Sequence, residues 1–226
     1  MHQIWLGGEP PSQVQEWMKS WKDTHPGWQY RLWTDAHISE ALNQRQIHYA
    51  DSYAAKADIL RVDILAKYGG VYVDADYEAH RAIDPIVRNR SAVLLSEGPN
   101  LTNSFLAFSP AHPIVMALQE KIGQLSDEAL TNAGNEVLSL TGPLALTSVV
   151  AADPSVLSDE AVCMIAPDYF LVPKSRNPDI QTMAQARRFA THHAAASWRT
   201  TSGISRALRS TRLKTRVRRF FDLSAS

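Results

Sequence analysis

Cysteine is almost missing from this chain: Cys163 is the one thiol in 226 residues, so no disulfide can close within it. A lone thiol fits a reducing compartment without demanding one. With no cysteine cluster, a structural zinc ion is not expected. Long uncharged apolar runs are also lacking, and none reaches the roughly 18 residues that a membrane-spanning helix requires. The opening residues Met1-His2-Gln3-Ile4-Trp5-Leu6 carry neither a basic stretch nor an extended apolar one, so no signal peptide is expected and a cytoplasmic location is.

What is present describes an ordinary folded protein. The apolar share is 45 % and the charged share 20 %, and the length suits one large domain with a real core. A net charge of zero hides an asymmetry. Residues 199–226 hold eight basic side chains against Asp222, whereas the preceding 198 residues carry an excess of seven acidic ones. An acidic body argues against nucleic acid as a partner. The expected division is a domain over residues 1–198 and a basic tail over 199–226.

Five of the six tryptophans lie within the first 33 residues, so the N-terminal segment must pack well. His2 to Leu6 reads as a short strand stopped by Gly7-Gly8 and Pro10-Pro11. Ser12 is expected to cap a helix whose Val14, Trp17, Met18 and Trp21 recur at helical spacing. After His25-Pro26-Gly27, Trp28 to Trp33 alternates like a second strand. Strand, helix, strand at this spacing predicts a largely parallel sheet. Further strands are expected at Ala92–Leu95, Phe105–Phe108, Val162–Ile165 and Tyr169–Val172, and helices at Ile114–Gln124 and Leu144–Ala152.

The helix expected over Ser52 to Tyr68 is the most informative stretch. At 100° per residue Lys56, Asp63 and Lys67 fall within about 40° of one another and mark its wet stripe. Asp58 and Arg61 point the other way, beside Ala54 and Leu65. Two charges on an apolar face require pairing or a ligand, so an internal i,i+3 ion pair and a ligand-facing pair both stand open. Gly69-Gly70 ends the helix, and the strand Val71-Tyr72-Val73 runs into Asp74-Ala75-Asp76. The carboxyl ends of strands in such sheets border the ligand crevice. Two aspartates one residue apart at that end can face a common magnesium or manganese ion, which in turn suits diphosphate oxygens.

With these motifs in order, the chain resembles glycosyltransferase family 32, the DxD-motif sugar transferases that include yeast initiating mannosyltransferases. The large clostridial glucosylating toxins carry a similar core. The resemblance rests on His2-Gln3-Ile4-Trp5-Leu6-Gly7, on His25-Pro26-Gly27-Trp28 through Trp33, on Lys56-Ala57-Asp58-Ile59-Leu60-Arg61 with Tyr68 to Asp76, and on His192-His193 with Ser197-Trp198. It implies a GT-A fold: an α/β, Rossmann-like, mixed and mainly parallel sheet flanked by helices. It implies a hexosyltransferase that uses a nucleotide-sugar donor and Mn²⁺ or Mg²⁺, with retention of configuration and a glycan or lipid-linked acceptor.

Carried over residue by residue, Asp76 would ligate the metal and Asp74 would reach the donor directly or through that ion. Asp58 and Arg61 would hold the sugar hydroxyls and the diphosphate side. Gln3, Ile4 and Trp5 would line the base, and Ser197 and Trp198 would cover the diphosphate. His193 is the better match for a histidine completing the metal shell and His192 the weaker, although Ala194 stands where the family usually has an aromatic residue. Among Asn100, Thr102, Asn103 and Ser104, Asn103 is the candidate to approach the donor sugar, against a plain turn residue. Thr141-Gly142-Pro143 is either an acceptor-side loop or a tight turn.

Two other functions stay open: a non-catalytic nucleotide-sugar or glycan-binding module, and a nucleotidyltransferase. The paired aspartates disfavour the first, and the lack of a glycine-rich loop with a following lysine near the N-terminus disfavours the second. In the tail, Leu213, Val217, Phe220 and Phe221 recur at helical spacing among arginines. Such a helix can lie on an anionic membrane, here the inner face of the cytoplasmic membrane, and a solvated tail is the alternative.

Overall fold

The structure is a computed structural model that describes residues 1–166, 170 and 188–194. The strand expected at Tyr169–Val172, Ser197, Trp198 and the basic tail lie outside the described residues, Phe170 excepted. The chain forms β1 (His2–Ile4), α1 (Ser12–Thr24), β2 (Arg31–Trp33), α2 (Gln44–Tyr49), α3 (Tyr53–Tyr68), β3 (Gly70–Val73), β4 (Tyr77–Ala79) and α4 (Asp84–Val87). There follow β5 (Ala92–Glu97), β6 (Asn100–Phe108), α5 (Pro113–Gly123), α6 (Asp127–Thr131), α7 (Val137–Leu140), α8 (Pro143–Ala152), β7 (Val162–Ile165) and β8 (Ala190–His192).

Six strands make one sheet in the order β2-β1-β3-β6-β5-β7. β6 runs antiparallel to β3 and β5, and the remaining pairs are parallel. The sheet is therefore mixed and mainly parallel, as the sequence predicts. Side chains alternate across it. Val71, Val73, Val93, Leu95, Phe105 and Ala107 pack with Trp21 and Phe170 on one face, while Tyr72, Leu94, Leu106 and Phe108 meet α3, α5 and α8 on the other. β4 and β8 form a separate two-stranded antiparallel ladder.

Helix α3 begins where the Ser52 hydroxyl accepts a hydrogen bond from the Ala55 amide at 3.3 Å. It ends at Gly69, whose φ is +63° and where an added Cβ would lie 2.6 Å from Pro110. Only glycine fits that corner.

Four expectations are corrected. Ser12 is the first residue of α1 rather than its cap, because Pro11 occupies the cap and offers no side-chain acceptor. Strand β2 starts at Arg31, since Trp28 closes a turn onto the His25 carbonyl at 3.0 Å. The strand expected from Phe105 begins at Asn100, so Asn103 is no turn residue: Asn100 to Ser104 form the first half of β6, paired with β5 through Glu97↔Asn100. Asp63 is not on a wet stripe: it is 2 % exposed, and its carboxylate accepts from the Asn43 amide at 2.7 Å and the Asn43 side chain at 2.8 Å. The polar lid over that face is α2, whose cap residue Asn43 is satisfied by Asp63.

Candidate active site

The Asp74-Ala75-Asp76 turn is pinned at every step. The Asp74 amide donates to the Ser104 carbonyl at 2.8 Å, which extends the β3–β6 ladder past its last strand pair. The Asp74 carbonyl accepts from the Gln3 side chain at 3.3 Å and from the Tyr77 amide at 3.2 Å. The Asp76 carbonyl accepts from the His193 amide at 3.0 Å. Ala75 is buried in a small apolar cluster with Val14 and Met18, against which Trp5, Trp17 and Leu32 pack. The residue between the aspartates thus anchors the turn, and both carboxylates border a cavity of about 490 Å³.

Arg61 sits at the centre of that cavity's charged wall. Its Nη2 is 2.9 Å from Asp58 Oδ1 and its Nη1 is 3.1 Å from Asp74 Oδ1. It also donates to the Asn103 carbonyl, and its guanidinium lies 4.6 Å from the centre of the Tyr72 ring. Asp58 receives two more bonds, from Asn103 Nδ2 at 2.9 Å and from the Thr141 hydroxyl at 3.3 Å. The Tyr72 hydroxyl donates to Asp74 Oδ1 at 2.7 Å. Asp58 and Arg61 form the i,i+3 ion pair, and both also line the cavity, so the pair does not exclude a ligand-facing role.

Burial dominates the acidities. It pushes Asp58 up to about 6 even with the Arg61 guanidinium alongside, and it raises Asp74 as well, where Arg61 opposes it and Asp76 adds to it. Burial also works against a charged His192, but the bond to Asp76 and the charges of Asp76 and Asp74 outweigh it and raise that histidine above its ordinary value.

Asp74, Asp76 and His192 each offer one ligand atom, and these atoms all lie within 4.8 Å of one another. Two carboxylate oxygens and an imidazole nitrogen at this spacing suit a single divalent cation. His192 rather than His193 is the histidine turned to the carboxylates, with its Nε2 3.4 Å from Asp76 Oδ1. Adjacent positions at the end of a strand face opposite ways. His192 is paired with Tyr77 and stacks on its ring at 4.3 Å, so His193 turns outward, onto Trp17 and Glu78.

Of the other expected residues, Ile4, Trp5 and Asn103 line the cavity. Gln3 does not: it is fully buried and holds the turn from behind, with the Tyr30 hydroxyl donating to its side-chain oxygen at 2.8 Å. Thr141 is 1 % exposed and reaches the site only through Asp58, while Leu138 and Pro143 beside it form cavity wall. Sequence reasoning missed Tyr72 and Tyr53 and passed over Ser104 in favour of Asn103; all three line the cavity. Tyr72 was legible, since it stands two residues before Asp74 and shares its face of the strand. Tyr53 was legible too, four and eight residues before Ala57 and Arg61 on one helical stripe.

A mixed sheet of this order with flanking helices, and a carboxylate pair at the exit of its third strand, agree with the GT-A fold that the resemblance implies. A family model described as a glycosyltransferase sugar-binding region containing DXD motif matches residues 11–92, the segment from α1 to the start of β5. Inositol phosphoceramide mannosyltransferase 3 of Schizosaccharomyces pombe is 28 % identical over 162 residues, covering 67 % of this chain and 44 % of that protein. Mannosyl phosphorylinositol ceramide synthase SUR1 of Saccharomyces cerevisiae is 25 % identical over 155 residues, covering 66 % of this chain and 40 % of that protein. The chain thus spans less than half the length of these curated relatives.

Among solved structures, the PaToxG glycosyltransferase superposes with a TM-score of 0.51 at 18 % identity, over 70 % of this chain and 71 % of that one. The ligand-free glycosyltransferase domain from the YGT toxin gives 0.56 at 12 % identity, over 73 % and 79 %. The resemblance to DxD-motif sugar transferases holds in sequence and in fold.

Proposed function

We propose that this chain transfers a hexose from a nucleotide-sugar donor to a glycan or lipid-linked acceptor, with a divalent cation and with retention of configuration. The observation that carries the reading is the convergence of Asp74, Asp76 and His192 in a cavity that Asp58, Arg61 and Asn103 also line, with Arg61 bonded to Asp74. Asp74, Asp76 and His192 would hold Mn²⁺, whose role when bound is to neutralise charge developing on the departing diphosphate.

The chain's own residues supply the rest. Arg61 is a fixed positive charge held in place by two carboxylates, so it needs no rearrangement as charge shifts. Asn103, oriented through Asp58, offers the cavity a neutral polar group for sugar hydroxyls. Trp5 supplies a flat apolar surface for a base.

Asp58 and Asp74 are both engaged by neighbouring donors, which makes either a poor nucleophile. This favours a front-face substitution. The acceptor oxygen bonds to the anomeric carbon on the side from which the phosphate oxygen leaves, and that departing oxygen takes the acceptor's proton. Mannose and an inositol phosphoceramide are named for the yeast relatives, so a mannosyl donor and a lipid-linked acceptor are the first pair to test.

Release of sugar from UDP- and GDP-hexoses, followed by chromatography with Mn²⁺ or with chelator, tests the proposal. Metal-dependent turnover of one donor that disappears in Asp76→Asn is expected. Turnover unaffected by chelator and by Asp76→Asn would refute the metal assignment, and binding without turnover on any donor would favour the non-catalytic reading.

A further inference from the structure

His193 is taken up by neither the cavity nor the proposed ligand set, yet it is held from two sides. Its ring stacks on Trp17 of α1, with centroids 4.1 Å apart and planes within 7°, and its Nε2 is 2.9 Å from Glu78 of β4. Its amide donates to the Asp76 carbonyl at 3.0 Å. One residue therefore ties three parts of the molecule to β8: the first helix, the partner strand and the carboxylate turn itself.

We propose that His193 is a positioning residue that clamps β8 so that its neighbour His192 is delivered to Asp74 and Asp76. The argument is mechanical. Among the described residues β8 has three residues and one neighbouring strand, through the pairs Tyr77↔His192, Glu78↔Thr191 and Ala79↔Ala190. A ladder so short is marginal without side-chain contacts. Upstream, the Thr191 hydroxyl meets the His80 ring at 2.7 Å and Arg188 at 3.0 Å. At the downstream end, next to the site, the backbone is held by the His192 amide on the Phe170 carbonyl at 3.3 Å and the His193 amide on the Asp76 carbonyl, and the His192 ring lies on Tyr77. The side-chain anchors beyond His192 are the stack of His193 on Trp17 and its bond to Glu78. Only Ala194, with φ at +47°, follows among the described residues.

A ligand ring that can pivot loses metal affinity even though every ligand atom is still present, and outer contacts of this kind typically change affinity about 10–100-fold. The inference rests on the metal reading above, and it assigns His193 to holding the ligand rather than to being one.

Calorimetric titration of Mn²⁺ alone into the full chain and its variants tests it, alongside amide hydrogen exchange of β8 in metal-free protein. His193→Ala is expected to weaken Mn²⁺ about tenfold and to speed exchange at the residue-193 amide, with His192→Ala weakening it far more. His193→Phe keeps the stack without offering a metal ligand, and it should restore most of the affinity; that recovery separates a clamp from a ligand. Abolished binding in both His193→Ala and His193→Phe, with binding retained in His192→Ala, would overturn the proposal and make His193 the ligand. Unchanged affinity and unchanged exchange in His193→Ala would also overturn it. A wild-type chain that binds no Mn²⁺ refutes the metal reading and the effect on the ion together, and the exchange data then report on the clamp alone.

Discussion

Arg61 of α3 and Asp74 at the exit of β3 are joined at 3.1 Å, and the same guanidinium holds Asp58 at 2.9 Å. One buried cation thus serves two carboxylates from different elements, and it lies between the helix and the strand that the site depends on. Arg61 is 6 % exposed.

Removing the cation should cost more than a surface ion pair would. Arg61→Ala leaves the buried Asp58 and the half-buried Asp74 without their cation, and breaking a buried pair such as Asp58–Arg61 typically costs about 3–5 kcal/mol. Arg61→Lys keeps the charge but not the forked geometry that spans Asp58 and Asp74, so it should recover only part of the loss. Urea denaturation measures this directly, and a loss below about 1 kcal/mol in Arg61→Ala would contradict the picture of a buried hub.

Gln3 makes a prediction about precision rather than charge. It is fully buried, its amide donates to the Asp74 carbonyl at 3.3 Å, and its oxygen accepts from Tyr30. Gln3→Met keeps roughly the same volume, deprives the Tyr30 hydroxyl of its acceptor and leaves the Asp74 carbonyl only the Tyr77 amide, which should cost about 1–3 kcal/mol. Because the turn it holds carries both aspartates, Mn²⁺ affinity should fall with it. Lost stability with unchanged Mn²⁺ affinity would restrict Gln3 to a packing role.

His2 should make folding sensitive to mild acid. Its Nδ1 accepts from the Trp33 indole at 3.1 Å, which leaves Nε2–H to donate to the Gly69 carbonyl at 3.1 Å, so the ring is neutral. Burial first, then the N-terminal ammonium and Arg31, lower its pKa from 6.5 to about 4. Between those values the unfolded chain binds a proton that the folded chain does not. Stability from this group is therefore present above pH 6.5 and falls as the pH drops toward 4. His2→Asn should flatten that part of the stability profile. Identical slopes for wild type and His2→Asn would show that His2 does not titrate as described.

The basic segment 199–226 carries the expectation of a membrane surface. Flotation with anionic liposomes should recover the full chain and not a chain ending at Trp198, and the difference should shrink as salt is raised. Equal partitioning of the two forms would discard a lipid-binding tail.

Much of the fold was legible because short-range chemistry determines it. The run from Ser52 to Asp76 announces a helix, a glycine stop and a strand, and the structure builds each of these, with Ser52 as the cap. What stayed hidden depends on long-range partners. Asp63 reads as solvent-facing by helical phase, and only the arrival of Asn43 from twenty residues upstream makes it a buried acceptor. The two-stranded β4–β8 ladder joins segments more than a hundred residues apart, so neither three-residue strand carries a local signal. The same ladder decides between His192 and His193, since strand pairing and not residue type sets which ring faces the carboxylates. Tyr72 and Tyr53 could have been found by phase alone, had strand and helix stripes been extended from Asp74 and Arg61.

The most direct test of the central claim is the thermal midpoint of wild type and Asp76→Asn with UDP and with GDP, each with and without Mn²⁺. A ligand at about 100 times its dissociation constant adds roughly 2.7 kcal/mol to the folded state, which shifts the midpoint readably. The account expects one nucleotide to stabilise the wild type only when Mn²⁺ is present, and Asp76→Asn to lose that stabilisation. Stabilisation that is indifferent to Mn²⁺, or that survives in Asp76→Asn, would contradict it.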